Sequence, residues 1–192
     1  MKIKTKDKVP KSVFFEYFVS EAHGCSIGVN KHDSHKLFEG KKVVLTGVPG
    51  AFTPTCSEKH LPDFIEKENE VRALGVDEIF FMAVNDPFVM AYWGKRYNKP
   101  DSIRMIGDPE GIFTKKVGLD IDLSVAGLGL RSKRFTAVIE DKIATYIEAE
   151  DAPPDYERSS ASTLIKFLKS RYGSEFCVVD FTNLQVLLAT MD

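Results

Sequence analysis

A cysteine lies where an apolar segment of the sequence gives way to a predicted helix. Cys56 belongs to the stretch GVPGAFTPTCSEKHLPDF, in which two prolines and two threonines precede it. A thiol attacks as its thiolate, and at an unperturbed pKa of about 8.5 only a small fraction is ionised at neutral pH. The free N–H groups and the positive dipole end of a helix N-terminus stabilise such an anion. The position of Cys56 therefore predicts a nucleophilic thiol.

A helix terminus alone stabilises a thiolate too weakly for this purpose. Lowering a thiol pKa by about two units requires roughly 2.7 kcal/mol, whereas a partly buried helix terminus supplies about 2 kcal/mol. We therefore expect a cation from the basic stretch RSKRF, which contains Arg131, Lys133 and Arg134. Arg134 stands at the start of a predicted strand, and its guanidinium could donate both to sulfur and to a substrate oxygen. Thr53 offers a hydroxyl that can donate to the thiolate or to an incoming oxygen.

The elements that must position these residues alternate between strand and helix. Apolar runs predict strands over 41–49 and 77–86, and apolar spacing predicts a helix over 57–74. A second helix follows through Phe88 and Lys95, and the stretch SIRMIGDPEG predicts a shorter strand. The stretch KRFTAVIEDKIATYIEA predicts a hairpin, and SSASTLIKFLKSRYG predicts a serine-capped helix. This order indicates an α/β fold in which helices flank a mixed central sheet in one domain.

Two segments fit this pattern less well. Residues 19–37 are polar and contain three of the four histidines, which predicts a loop insertion or a ragged hairpin. Residues 174–192 form an apolar C-terminal extension that follows the natural end of the domain at residue 173. The domain is therefore predicted to occupy residues 1–173.

Composition limits the classes of function. The chain has 192 residues, 43% of them hydrophobic, and a formal net charge of -2, which does not indicate a nucleic-acid or anionic-membrane partner. No apolar run approaches the roughly 20 residues of a membrane span, and no secretory signal is evident. Three cysteines, at positions 25, 56 and 177, form no disulfide framework and favour a reducing compartment. We expect a cytoplasmic protein, or an organellar one if a presequence has been removed.

Several motifs in order resemble the peroxiredoxin family. The stretch PGAFTPTC fits the pattern PxxxTxxC, and its continuation SEKHLPDFIEK is similar to the atypical branch that includes the plant type II enzymes. Further matching stretches are GVDEIFFMAVNDPFVMAYW and GLDIDLSVAGLGLRSKRF, so that the resemblance covers about residues 41–168. It implies a thioredoxin-like fold, a thiol-dependent peroxidase acting on hydrogen peroxide and alkyl hydroperoxides, and no metal or organic cofactor.

The resemblance also assigns roles to individual residues. Cys56 would attack the peroxide O–O bond and become a sulfenic acid, while Thr53 orients the peroxide. Arg134 would stabilise the thiolate and the transition state, and Pro49 would shield the sulfur. Members of this branch commonly form homodimers, and we expect Phe88, Tyr92 and Trp93 to contribute either to such a contact or to the core.

The sequence departs from this branch in the residues that complete the redox cycle. The two usual places of a resolving cysteine hold Phe80 and Phe81 in a strand, and a serine run before the last helix that comprises Ser159, Ser160 and Ser162. The simplest consequence is a one-cysteine cycle in which an external thiol reduces the sulfenic acid, glutathione with glutaredoxin first and thioredoxin second. Cys177 is interpreted as a buried hydrophobe or as a resolving thiol on the tail, and Cys25 as a bystander.

Other interpretations remain open at this point. A redox sensor would use the same thiol without turnover, and a cysteine hydrolase would pair Cys56 with His60, four residues away. A packing role for the cysteine needs no chemistry. A zinc site would use the set His23, Cys25, His32 and His35, although their spacing does not match common structural zinc patterns. The stretch GLGLRS lacks the third glycine of a dinucleotide motif.

Overall fold

The structure is a computed structural model that describes residues 2–18, 28–97, 99 and 101–173. Its strands are β1 (Val13–Glu16), β2 (Asn30–Asp33), β3 (Lys42–Gly47), β4 (Glu78–Ala83), β5 (Ile103–Gly107), β6 (Asp120–Asp122), β7 (Leu130–Ser132), β8 (Phe135–Glu140) and β9 (Ile143–Ala149). Its α-helices are α1 (Ser34–Phe38), α2 (Leu61–Ala73), α3 (Pro87–Arg96), α4 (Ile112–Lys116) and α5 (Ala161–Tyr172). A π-helical turn, Cys56–His60, leads directly into α2.

One seven-stranded sheet forms the centre of the molecule, in the order β2-β1-β5-β4-β3-β8-β9. Strands β3, β4 and β5 are parallel to one another, whereas β8 pairs with β3 in the antiparallel sense. Strands β6 and β7 form a separate two-stranded sheet. The predicted α/β fold with a mixed central sheet in a single domain is confirmed.

The helices cover both faces of this sheet. Helices α2, α3 and α5 pack on one face, where their apolar side chains join Val44 of β3 and Phe81 of β4 in one buried cluster. Helices α1 and α4 pack on the other face with Val43 and Phe80. Because neighbouring residues of a strand point to opposite faces, a strand covered on both sides needs a continuous apolar run. This is why β3 and β4 could be recognised from sequence.

The carboxyl ends of the parallel strands meet at one edge of the sheet, and the turn after β3 lies there. Gly47, the last residue of β3, lies against Phe135 of β8, whose ring would stand 2.0 Å from a Cβ at position 47. A side chain at position 47 would displace Phe135 and, with it, Arg134, the residue immediately before β8.

The segment 19–37, predicted as a loop insertion or a ragged hairpin, is described from residue 28 onward, where it pairs with β1 in the antiparallel sense as a hairpin would. From residue 30 onward the chain forms β2, which pairs with β1, and then α1. Asp33 begins this helix by accepting hydrogen bonds from the N–H groups of His35 and Lys36. Residues 19–27 and the extension 174–192 lie outside the described residues, so the domain boundary at 173 stays a prediction.

The later elements confirm the remaining predictions of secondary structure. The β8–β9 hairpin turns at Asp141 and Lys142, both with positive φ. Ser160 caps α5 by accepting a hydrogen bond from the N–H of Thr163. None of the described helices is long and apolar enough to cross a membrane.

Candidate active site

The turn after β3 places Cys56 in the first helical turn that follows it. Pro49 is buried in this turn, Phe52 adopts a left-handed backbone conformation with φ of 62°, and helical geometry begins at residue 54. The N–H of Leu61 bonds to the carbonyl of Cys56, five residues earlier, which is the π-helical pattern. Cys56 is completely buried. The predicted position at a helix start is therefore correct.

Arg134 brings its guanidinium to the sulfur of Cys56. Its Nη1 lies 3.4 Å from Cys56 Sγ and 3.1 Å from Nδ1 of His60. The other side of the guanidinium donates to two backbone carbonyls, from Nη2 to Pro153 at 2.9 Å and from Nε to Asp155 at 3.0 Å. The side chain is almost fully buried. The structure thus brings together two residues that stand 78 positions apart in sequence.

The charge of Arg134 has no carboxylate partner in the described part of the chain. Within that part, no Asp or Glu oxygen lies within 4.0 Å of a guanidinium nitrogen of Arg134. The carbonyl and imidazole groups that accept its hydrogen bonds are neutral. Glu150 is nearby, and although burial opposes its ionisation, hydrogen bonds from Ser159 and Glu157 and the charge of Arg134 hold the pKa of Glu150 below its usual value. A buried cation is costly unless an anion or several acceptors face it. A thiolate on Cys56 would be that anion.

His60 is a neutral acceptor for Arg134. Burial, and the positive charge of Arg134 after it, lower the pKa of His60 well below 6.5. Because an arginine can only donate, Nδ1 of His60 accepts and Nε2 carries the proton. The ring packs against Phe64, Phe81 and Tyr156. The lone pair that a Cys56–His60 hydrolase would need is therefore occupied by the guanidinium.

Thr53 differs from the expectation in the direction of its hydrogen bond. Its hydroxyl donates to the carbonyl of Gly50 at 2.8 Å, which uses its single proton. The oxygen keeps its lone pairs and can accept from an incoming O–H group. The hydroxyl is thus arranged as an acceptor rather than as the predicted donor to sulfur.

Hydrogen bonds that the sequence did not predict hold the turn before Cys56 in place. Asn85 Oδ1 accepts from the N–H of Ala51 at 3.0 Å and from Nη1 of Arg131 at 3.3 Å. The same Nη1 of Arg131 donates to the carbonyl of Pro49 at 3.3 Å. A Cβ at Gly50 would stand only 2.6 Å from this nitrogen, so only glycine lets Arg131 pass. Asn85 lies just after the end of β4, the strand beside β3. This placement next to the turn after β3 was the signal available in the sequence.

Those of the other candidate residues that the structure describes do not join this site. Cys25, Cys177 and His23 lie outside the described residues. His32 pairs with Glu16, and Nε2 of His35 contacts the carbonyl of Val9. Across the described ranges no group of three or more His, Cys, Asp or Glu side chains could hold a metal ion.

The predicted contact aromatics divide between core and surface. Trp93 has no exposed surface, and its Nε1 donates to Ser57 Oγ at 3.0 Å. Phe88 is 49% exposed and Tyr92 is 53% exposed. Trp93 therefore belongs to the core, and only the other two are available for a contact.

Comparisons with known proteins agree with one another. The redoxin family matches residues 4–165. The chain is similar to Peroxiredoxin-2B of Arabidopsis thaliana, with 48% identity over 134 residues that cover 70% of this chain and 82% of the relative. A reduced Prx3 of Vibrio vulnificus in complex with H₂O₂ is 39% identical, with a TM-score of 0.78 over 86% of this chain and 99% of the other. The antioxidant protein of Plasmodium falciparum, a 1-Cys peroxiredoxin, is 28% identical, with a TM-score of 0.80 over 86% and 99%.

Proposed function

Since the chain belongs to the peroxiredoxins, in the branch of the plant type II enzymes, and has their thioredoxin-like fold, we propose that Cys56 carries out its thiol-dependent peroxidase reaction through a sulfenic acid. The observation that supports this proposal best is the buried guanidinium of Arg134, 3.4 Å from Cys56 Sγ and without a carboxylate partner among the described residues. The substrates are hydrogen peroxide and alkyl hydroperoxides.

The chemical step is a displacement at oxygen. The thiolate of Cys56 attacks one peroxide oxygen, the S–O bond forms as the O–O bond breaks, and the departing oxygen takes a proton to leave as water or an alcohol. Arg134 and the first-turn N–H groups near Thr55 and Cys56 stabilise the negative charge that moves onto this oxygen. Thr53 accepts a hydrogen bond from the peroxide and so orients it. Pro49 shields the sulfur from water.

An intact-mass experiment tests this assignment. We expect Cys56→Ser to abolish peroxide consumption, whereas the matched variants Cys25→Ser and Cys177→Ser keep it. One equivalent of hydrogen peroxide with a sulfenic-acid trapping reagent should give one adduct, lost only when Cys56 is replaced. Substantial turnover by Cys56→Ser would show that another residue reacts with peroxide.

The short stretch between the end of α5 and Cys177 supports an external reductant. Helix α5 runs parallel to α2, since the N–H of Ala161 bonds to Asp63 and Lys169 pairs with Glu70. Its 12 residues span about 18 Å, so it ends far from the Cys56 end of the molecule. Cys177 stands four positions beyond residue 173, and four residues reach at most about 14 Å. This reach is shorter than α5 itself, so a disulfide with Cys56 of the same chain would require the end of α5 to unwind.

We accordingly propose that glutathione with glutaredoxin reduces the sulfenic acid, with thioredoxin as the second candidate. Steady-state peroxide consumption with each reducing system in turn distinguishes them. Turnover with thioredoxin that is lost in Cys177→Ser would refute the external one-cysteine cycle and assign a resolving role to the tail. A single round of oxidation without turnover in either system would favour the redox sensor.

We also propose a homodimer whose contact includes Phe88 and Tyr92. Both side chains are about half exposed on α3, and Phe88 also packs against Tyr17 with ring centroids 4.8 Å apart. Sedimentation of the wild type and of Phe88→Glu tests this contact. A wild-type dimer that the substitution leaves intact would place the interface elsewhere.

A further inference from the structure

The segment between β9 and α5 supports the guanidinium of Arg134 from the side opposite to the sulfur. Its carbonyls at Pro153 and Asp155 accept from Nη2 and Nε. These two bonds fix the plane of the guanidinium, and therefore the direction in which Nη1 points at Cys56. This segment, residues 150–160, is called the arginine support.

Glu150 anchors the arginine support to the sheet. Its backbone N–H bonds to the carbonyl of Arg134 at 2.9 Å. Its carboxylate Oε1 accepts from the N–H of Glu157 at 2.9 Å and from both the N–H and the hydroxyl of Ser159 at 2.8 Å. The two ends of the support are thus tied together in a closed loop beside Arg134.

A second attachment joins the arginine support to the helix that follows Cys56. The hydroxyl of Tyr156 donates to Oδ2 of Asp63, which lies in the first turn of α2. The same oxygen accepts from the N–H of Ala161 at 2.9 Å. The ring of Tyr156 packs on that of His60, with ring centroids 4.8 Å apart, and His60 in turn accepts from Arg134. Tyr156 is half-buried, and no other hydrogen bond in the described residues ties its side chain to α2.

We infer that Tyr156 and Asp63 are positioning residues, whose hydrogen bond holds the arginine support against α2 and so sets the contact between Arg134 and Cys56. The inference rests on the proposed function, because it concerns the reactivity of the same sulfur. The arginine support contains no cysteine, so no step of the proposed cycle requires it to leave Arg134. It acts as a fixed wall of the active site.

A double-mutant cycle tests this inference. Tyr156→Phe removes only the donating hydroxyl and keeps the ring on His60, and Asp63→Asn removes the charge of the acceptor. Both are made in a Cys25→Ser, Cys177→Ser background, with Tyr97→Phe, at the C-terminal end of α3, as the matched control for loss of a phenol outside the site. The second-order rate constant for oxidation of Cys56 by hydrogen peroxide is measured across pH by quenching and intact mass.

We expect each single variant to slow the oxidation of Cys56 at least about threefold at neutral pH, a loss of the size expected when one hydrogen bond is weakened. The pH at which the rate constant increases should also move to a higher value. Asp63→Asn also affects the contacts of Asp63 with Ala161 and Lys67, but Tyr156→Phe acts only on the bond that Asp63→Asn already weakens, so the double variant should be no more than slightly slower than the slower single one. Tyr97→Phe should match the background protein. Wild-type rates in Tyr156→Phe, or fully multiplicative effects in the double variant, would overturn the inference.

Two further measurements keep the test decisive. If Asp63→Asn fails to fold, amide hydrogen exchange in Tyr156→Phe replaces it: exchange in residues 152–158 should be faster, and unchanged exchange would overturn the inference. If the wild type does not react with peroxide, the proposed function fails, and alkylation of Cys56 by iodoacetamide in the same variants still measures the positioning of Arg134.

Discussion

His60 makes a specific prediction about stability in mild acid. The imidazole is fully buried beside the guanidinium of Arg134, and both features lower its pKa well below the ordinary value of 6.5. In the unfolded chain the ring takes up a proton below about pH 6.5, whereas in the folded protein it stays neutral. Above this pH both states are neutral and the group contributes nothing. Below it the unfolded state binds one proton more, so stability falls as the pH falls.

The size of this effect follows from one proton. A group with an unfolded pKa of 6.5 that stays neutral when folded lowers the free energy of unfolding by about 1.4 kcal/mol between about pH 7.5 and about pH 5.5. The loss grows by about 1.4 kcal/mol for each further pH unit until the folded pKa is reached. Carboxylates with lowered pKa values, such as Glu150, lose their contribution at lower pH than this window.

Urea unfolding of the wild type, His60→Asn and His60→Gln across this window measures the effect. Either amide can accept from Arg134 through its oxygen, and neither titrates. Both variants should start less stable, because the packing on Phe64 and Phe81 is reduced, but the difference from wild type should shrink by about 1.4 kcal/mol at about pH 5.5. A constant difference across the window would refute the neutral, buried His60.

Substitutions at three positions test the site by kinetics. Arg134→Lys keeps the charge but loses the planar fork, and we expect oxidation of Cys56 to slow by about 10- to 100-fold in stopped-flow assays. Thr53→Val keeps the shape but removes the acceptor for peroxide; the peroxide rate should fall about tenfold, alkylation by iodoacetamide should hardly change, and Thr53→Ser should restore the peroxide rate. Arg131→Lys should loosen the turn at Gly50 and lower the peroxide rate about two- to fivefold through Thr53, with the rate of alkylation retained. Equal losses in both rates for Thr53→Val would contradict its role toward the peroxide.

The central elements could be predicted because local features of their sequences determine them. Strands β3 and β4 are buried on both faces and appear as continuous apolar runs, and Ser160, as the N-cap residue, marks the start of α5. Strand β2 has the sequence NKHD, which has no strand character of its own. It forms because its backbone pairs with β1, from Val13 opposite Asp33 to Glu16 opposite Asn30. Such pairing is a long-range property that a polar edge strand does not reveal.

The proximity of Arg134 to Cys56 was easier to predict from the sequence than the directions of the hydrogen bonds in the turn before Cys56. A helix start after a buried strand indicated an anion site at Cys56, and the predicted strand start singled out Arg134 in the basic cluster before the resemblance to a known family gave it a role. The direction of the Thr53 hydrogen bond depends on a turn in which Phe52 adopts φ of 62° and Gly50 turns its carbonyl toward the hydroxyl. No local signal marks that conformation, since phenylalanine rarely adopts positive φ.

The acceptors around Arg134 explain how a buried positive charge can serve the sulfur. Carbonyls at Pro153 and Asp155 and the neutral ring of His60 satisfy three of its donor directions. These acceptors offset the cost of burial but cancel none of the charge, whereas a carboxylate in any of their places would neutralise it. Glu150 lies beyond ion-pair distance of the guanidinium, whereas Nη1 contacts Cys56 Sγ directly, so the charge acts most strongly on that sulfur. In the proposed mechanism, the neutral acceptors therefore contribute to the reactivity of the thiol by leaving the charge of the arginine uncompensated.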